Sequence, residues 1–137
     1  MNLCLIPLNV DSIQFHYYIS RLSCGFPSPA DDYLASPLTL SELLVDCPNS
    51  TYFVKASGTS MINRGILDGA ILTVDRSKPY ENGATVVAAI DGELTCKILD
   101  KKNRRLLSAN PDFPSILIEE DMDVVLQGVV TWAINPQ

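Results

Sequence analysis

The sequence predicts a mainly β domain carrying a short helix and an extended N-terminal arm. Three observations predict it. From residue 51 onward, short runs rich in β-branched and aromatic residues, such as Thr51-Tyr52-Phe53-Val54 and Ile71-Leu72-Thr73-Val74, alternate with turn residues. The apolar runs 84–90 and 93–99 are joined by Asp91-Gly92, and a two-residue Asp-Gly link is a strong short-range hairpin signal. Residues 1–37, by contrast, have poor periodicity and are interrupted by Pro7, Pro27, Pro29 and Pro37. The chain has 137 residues, 47% of them hydrophobic, enough for one sizeable core. The expected division is an arm over 1–37 and a β-rich domain over 38–137.

In the arm, Ile13, Phe15, Tyr17, Tyr18, Ile19 and Leu22 supply apolar surface without helical or strand spacing, and Cys24-Gly25 precedes the loop chemistry of Phe26-Pro27-Ser28-Pro29. A small residue followed by glycine is a plain turn, and also what a narrow protease subsite accepts. Next, Thr39-Leu40-Ser41-Glu42 has capping-box spacing, which starts a short structural helix that Cys47-Pro48 ends. The strand from residue 51 breaks at Ser57-Gly58-Thr59-Ser60, a small polar turn followed by apolar Met61-Ile62. Residues 65–69 form a turn and 70–75 a strand, followed by a loop to residue 83 and the Asp91-Gly92 hairpin. Lys101-Lys102 and Arg104-Arg105 bracket Asn103 and read as a solvated hairpin turn. Strands over 105–108, 115–119 and 124–134 close the domain, with Gly128 at a bulge or bend.

Composition removes several functions. The net charge is −6, which makes the chain a poor stand-alone DNA binder, because duplex affinity rests on phosphate neutralisation. Cys4, Cys24, Cys47 and Cys96 have no metal-ligand spacing and no CxxC, so no metal and no cofactor are expected, and a reduced cytoplasmic protein is. The N-terminus lacks the basic region of a signal peptide, and no apolar run is long enough to span a membrane.

A strand that ends in a small-residue turn can present one hydroxyl beside unpaired backbone N–H groups, and Ser60 is placed to be that hydroxyl. The plain alternative is a turn with an N-cap serine. A serine nucleophile needs a base. His16 is the one histidine, and it lies in the arm. Among lysines, Lys97 sits inside a strand of the hairpin, between Cys96 and Ile98. Alternation puts Thr95, Lys97 and Leu99 on one face and Leu94, Cys96 and Ile98 on the other, so both faces are partly apolar. Burial disfavours the ammonium form, as a lysine base requires. The plain alternative is an edge lysine that snorkels to water. Lys55 is a weaker candidate, and Lys78, Lys101 and Lys102 lie in loops.

Together these pieces resemble the UmuD family of self-cleaving SOS mutagenesis proteins, whose catalytic domain is shared with the LexA repressor. The resemblance covers nearly the whole chain. It is carried by Cys24-Gly25-Phe26-Pro27-Ser28-Pro29-Ala30, by Thr51-Tyr52-Phe53-Val54-Lys55-Ala56-Ser57-Gly58, by Ser60-Met61-Ile62, by Asp91-Gly92-Glu93 through Thr95 and Lys97, and by Gly128-Val129-Val130. The chain departs from the pattern at Thr59 and Ala70, where members often carry an acidic residue, and over its first twenty residues. The resemblance implies a LexA/UmuD-type β-rich fold and a Ser-Lys dyad of Ser60 and Lys97. It also implies self-cleavage of the Cys24–Gly25 bond, stimulated by the RecA–single-stranded DNA filament, in the cytoplasm. It further implies a homodimer and a UmuC-type Y-family polymerase subunit as partner, in error-prone translesion synthesis during the SOS response. Two alternatives share the fold. One is a LexA- or phage-type repressor, for which the 24 residues before Gly25 are too few to hold a helix-turn-helix domain. The other is a non-catalytic interaction protein.

Overall fold

The structure, a computed structural model, describes residues 2–6, 14–15 and 38–137. The described residues form ten strands: β1 (Asn2–Ile6), β2 (Gln14–Phe15), β3 (Leu38–Thr39), β4 (Thr51–Ser57), β5 (Ile71–Asp75), β6 (Thr85–Ile90), β7 (Glu93–Asp100), β8 (Arg105–Leu107), β9 (Ile116–Leu117) and β10 (Val124–Ile134). A short helix, α1 (Leu40–Leu44), follows β3. The chain divides into two compact units, residues 9–46 and residues 1–8 with 47–137.

In the smaller unit, β2 and β3 pair antiparallel. Thr39 caps α1, its Oγ1 accepting a hydrogen bond from the Glu42 N–H at 3.2 Å, as the capping-box spacing expects.

The larger unit is one antiparallel sheet in the order β1-β4-β5-β10-β6-β7-β8-β9. It curls, so that β1 approaches β7 although the two are not neighbours in the sheet. Residues 2–6, which the sequence places in the arm, form its edge strand, running antiparallel to β4 with Leu3 opposite Ala56. Leu3, Leu5 and Ile6 share the strand with polar Asn2 and with Cys4, a pattern too short and irregular to announce itself.

The hairpin β6–β7 forms as its turn chemistry demands. Ile90 faces Glu93, and Asp91 and Gly92 both take positive φ, 49° and 86°, in the two-residue loop. Alternation then covers both faces of β6 and β7. Val87 and Cys96, with Leu94 and Ile98 against them, join a core of Val54, Met61, Ile66, Leu72 and Val74. Val86, Ala88 and Leu99 join Leu106 in a second core. A strand buried on both sides explains why 84–90 reads as nearly continuous apolar sequence rather than as alternation. The second hairpin closes at Asp100 and Arg105 around the exposed residues 101–104. Asp100 sits inside that turn, accepting from Asn103 and from Arg105 at 2.8 Å, and these hydrogen bonds hold its carboxyl below the usual range.

The long strand β10 lies in the middle of the sheet, between β5 and β6, and its register shifts between Leu126 and Gly128. Gly128 has φ 142°, and a Cβ there would meet a Val74 methyl at 2.6 Å and the Asp75 carbonyl at 3.3 Å. The bend expected from the sequence is therefore also a close approach of β10 to β5. Gly128→Ala is expected to destabilise the fold by about 1–3 kcal/mol through overpacking and backbone strain. Urea unfolding checks it, as a lowered midpoint at unchanged slope.

Candidate active site

Ser60 stands at the end of the turn that leaves β4. The apolar residue after it, Met61, is fully buried in the main core, and the 3-10 turn Ile62–Arg64 follows, ending at Gly65 in the left-handed conformation. Burying Met61 anchors Ser60 from one side. Two hydrogen bonds hold the turn from the other directions. Asp68 Oδ1 accepts from the Gly58 N–H at 2.8 Å, and Asn110 Nδ2 donates to the Thr59 carbonyl at 2.9 Å. The Asn63 N–H donates to the Ala109 carbonyl at 2.9 Å. The Ser60 turn is thus tied both to the segment that leads into β5 and to the segment that follows β8.

Lys97 lies on β7 opposite Val86 of β6, with the parity of Leu99. It is 5% exposed, and Ser60 is fully buried. The Lys97 amine lies 3.4 Å from Ser60 Oγ and 3.0 Å from Ser108 Oγ. The first distance is long for a hydrogen bond and the second ordinary; catalytic contacts are often loose in free enzymes. Lys97 also lines an open cleft of about 500 Å³, with Ile90, Asp91, Glu93, Thr95 and Ile116 around it.

Desolvation pushes the Lys97 amine below the usual lysine value. A thiolate at Cys96 would oppose this, but burial pushes the Cys96 thiol up to about 12, so it stays neutral at working pH. The arrangement therefore does one thing that an exposed lysine does not: it sets an amine that releases its proton more readily than an ordinary lysine against a hydroxyl.

Of the residues singled out in the sequence, Ser60 and Lys97 come together. Lys55 is exposed on β4, Lys101 and Lys102 are exposed on their turn, and Lys78 lies in the loop after β5. Cys24, Gly25 and His16 lie outside the described residues. Three residues of the site escaped the sequence: Ser108, Asp68 and Asn110. Ser108 had a readable signal. If Asp100 pairs with Arg105, counting back along the hairpin puts Ser108 across from Lys97. That inference needs the turn to hold four residues, a length that the run Lys101-Lys102-Asn103-Arg104-Arg105 leaves open. The contacts of Asp68 and Asn110 depend on the fold of distant segments.

Residues 16–131 match the family model described as Peptidase S24-like. Protein MucA of Salmonella typhimurium is 44% identical over 127 residues, 91% of this chain and 86% of that protein. Protein ImpA of Salmonella typhimurium is 36% identical over 129 residues, 94% of this chain and 89% of that protein. The LexA repressor of Stenotrophomonas maltophilia (strain R551-3) is 34% identical over 120 residues, 86% of this chain and 56% of the repressor.

The chemical state of Lys97 can be checked without any reaction. Its side-chain carbons, followed by NMR across pH, are expected to titrate below the ordinary lysine value of about 10.4. A midpoint at or above that value would mean a hydrated amine.

Proposed function

The chain belongs to the S24-like peptidase family, and on that footing we propose that it is a self-cleaving serine peptidase with Ser60 as nucleophile, Lys97 as general base and its own Cys24–Gly25 bond as substrate. The observation that carries this reading is the buried Lys97 side chain with its amine beside Ser60 Oγ. No other lysine among the described residues comes together with Ser60 in this way.

The chemistry follows from that pair. Neutral Lys97 takes the Ser60 hydroxyl proton while Oγ attacks the Cys24 carbonyl carbon. Backbone N–H groups hold the resulting oxyanion. The N–H groups of Gly58, Ile62 and Asn63 already donate elsewhere, which leaves the remaining N–H groups of the Ser60 turn to hold it. The intermediate collapses as the Lys97 ammonium returns its proton to the Gly25 nitrogen, and the C–N bond breaks. Water, losing a proton to Lys97, then releases the Cys24 carboxylate and restores Ser60. Because the arm is tethered to the protein that carries the cleft, the reaction is effectively unimolecular.

Kinship with the UmuD group supports the cellular role: cleavage stimulated by the RecA–single-stranded DNA filament, and a shortened product that serves as accessory subunit to a UmuC-type Y-family polymerase in SOS mutagenesis. Direct sequence-specific DNA binding is no part of this reading, in keeping with the charge of −6. No helix among the described residues is long and apolar enough to cross a membrane. A homodimer fits the apolar side chains that β10 leaves exposed, Val125, Trp132 and Ile134.

The test is intact mass after incubation with RecA, single-stranded DNA and a nucleotide. A product starting at Gly25 is expected from the wild type and from His16→Ala, and none from Ser60→Ala or Lys97→Ala. Without the filament, the first-order cleavage rate should climb about tenfold per pH unit above 7 and level near the Lys97 pKa, since only the neutral amine is a base. Lys97→Arg should stay inactive throughout, because guanidinium does not deprotonate there. A flat profile would remove Lys97 from the role of base. Light scattering at micromolar concentration should return a dimer mass; a monomer would count against the homodimer.

A further inference from the structure

The shortest contact of the Lys97 amine is not with Ser60. Nζ lies 3.0 Å from Ser108 Oγ and 3.4 Å from Ser60 Oγ. The geometry points to Ser108 as a positioning residue for the base: its hydroxyl takes one N–H of Lys97 and so aims the amine's lone pair at the Ser60 hydroxyl. This inference rests on the dyad proposed above and adds a third member.

Three features of the chain put Ser108 there. The β7–β8 hairpin pairs Ile98 with Leu107, so the next position places Ser108 across from Lys97, on the same face. Residues facing each other across antiparallel strands have Cβ atoms about 5 Å apart, within reach of a short hydroxyl and a lysine amine. The two residues after Ser108 then hold the nucleophile turn, Ala109 through its carbonyl to the Asn63 N–H and Asn110 through its amide to the Thr59 carbonyl. Residues 108–110 thus grip the base and the nucleophile at once. A lysine amine at the end of four rotatable bonds is otherwise free to point its lone pair elsewhere, into the open cleft lined by Asp91 and Glu93 for instance. Val86 faces Lys97 from β6, Thr95 shares its face of β7, and Ser60 and Ser108 both place a hydroxyl against the amine.

The proton inventory is consistent. In the neutral state, Lys97 donates one N–H to Ser108 Oγ and accepts the Ser60 O–H. After transfer, the ammonium still donates to Ser108, which holds it in place until the leaving amine takes the proton.

The experiment compares wild type, Ser108→Ala and Ser108→Thr as full chains, by the pH–rate profile of self-cleavage and by NMR titration of Lys97. Thermal melting shows that each variant is folded. Removing the acceptor costs orientation and also removes a hydrogen bond to the charged form. Ser108→Ala should therefore lower the plateau rate about tenfold or more and move the Lys97 midpoint to lower pH. Ser108→Thr, which keeps the hydroxyl, should recover most of both. An Ala variant with wild-type plateau and midpoint would overturn the inference. So would Ala and Thr variants that are equally slow with an unmoved midpoint, since that is the pattern of a packing defect. If the wild type itself does not cleave, the peptidase reading fails, and the NMR titration still decides whether Ser108 holds Lys97.

Discussion

The structure depends on keeping one amine dry. Lys97 carries a group that water solvates strongly, yet it is 5% exposed in a sheet whose neighbouring strands are covered on both faces. Burying such a group disfavours its charged form, which pushes the Lys97 amine below the usual lysine value. The sheet order serves this end. Lys97 is on β7, which has β6 on one side and β8 on the other, while β1 curls toward it. An edge position would have let the side chain reach water and keep its charge.

The same constraint shapes the Ser60 turn. A serine placed beside a buried amine must be held there, because its own hydroxyl adds little binding energy. The chain holds it by burying the next side chain, Met61, and by tying the flanking backbone to Asp68 and to Asn110. Gly58, with φ 97°, gives the turn the left-handed step it needs to leave the strand.

Local chemistry was the legible part of the sequence. Asp91-Gly92 specified its hairpin, Thr39 with Glu42 specified the start of a helix, and Gly128 marked an irregularity in β10, because each of these acts through its immediate neighbours. The faces of β7 followed from alternation alone. The approach of Lys97 to Ser60 was readable only as two separate suspicions, joined by resemblance to a known arrangement. What stayed hidden depends on where distant segments meet. The strand at 2–6 exists because β4 offers an edge for it to pair with. Ser108 owes its position to the length of one turn, and Asp68 and Asn110 owe theirs to the way loops cross above the sheet. No periodicity carries that information.

The grip on the site comes from the poorest-supported border of the sheet. Beyond β7 the order runs only to β8, of three residues, and β9, of two, which ends the sheet. Strands this short are held by few ladder bonds and open at lower free energy than the core does. Residues 108–110, which follow β8, carry both the Ser108 contact of Lys97 and the ties to the Ser60 turn. The contacts that residues 108–110 make therefore hang on the smallest strands of the sheet. A substitution at the β8–β9 border would thus act on the Lys97 and Ser60 contacts without touching either residue.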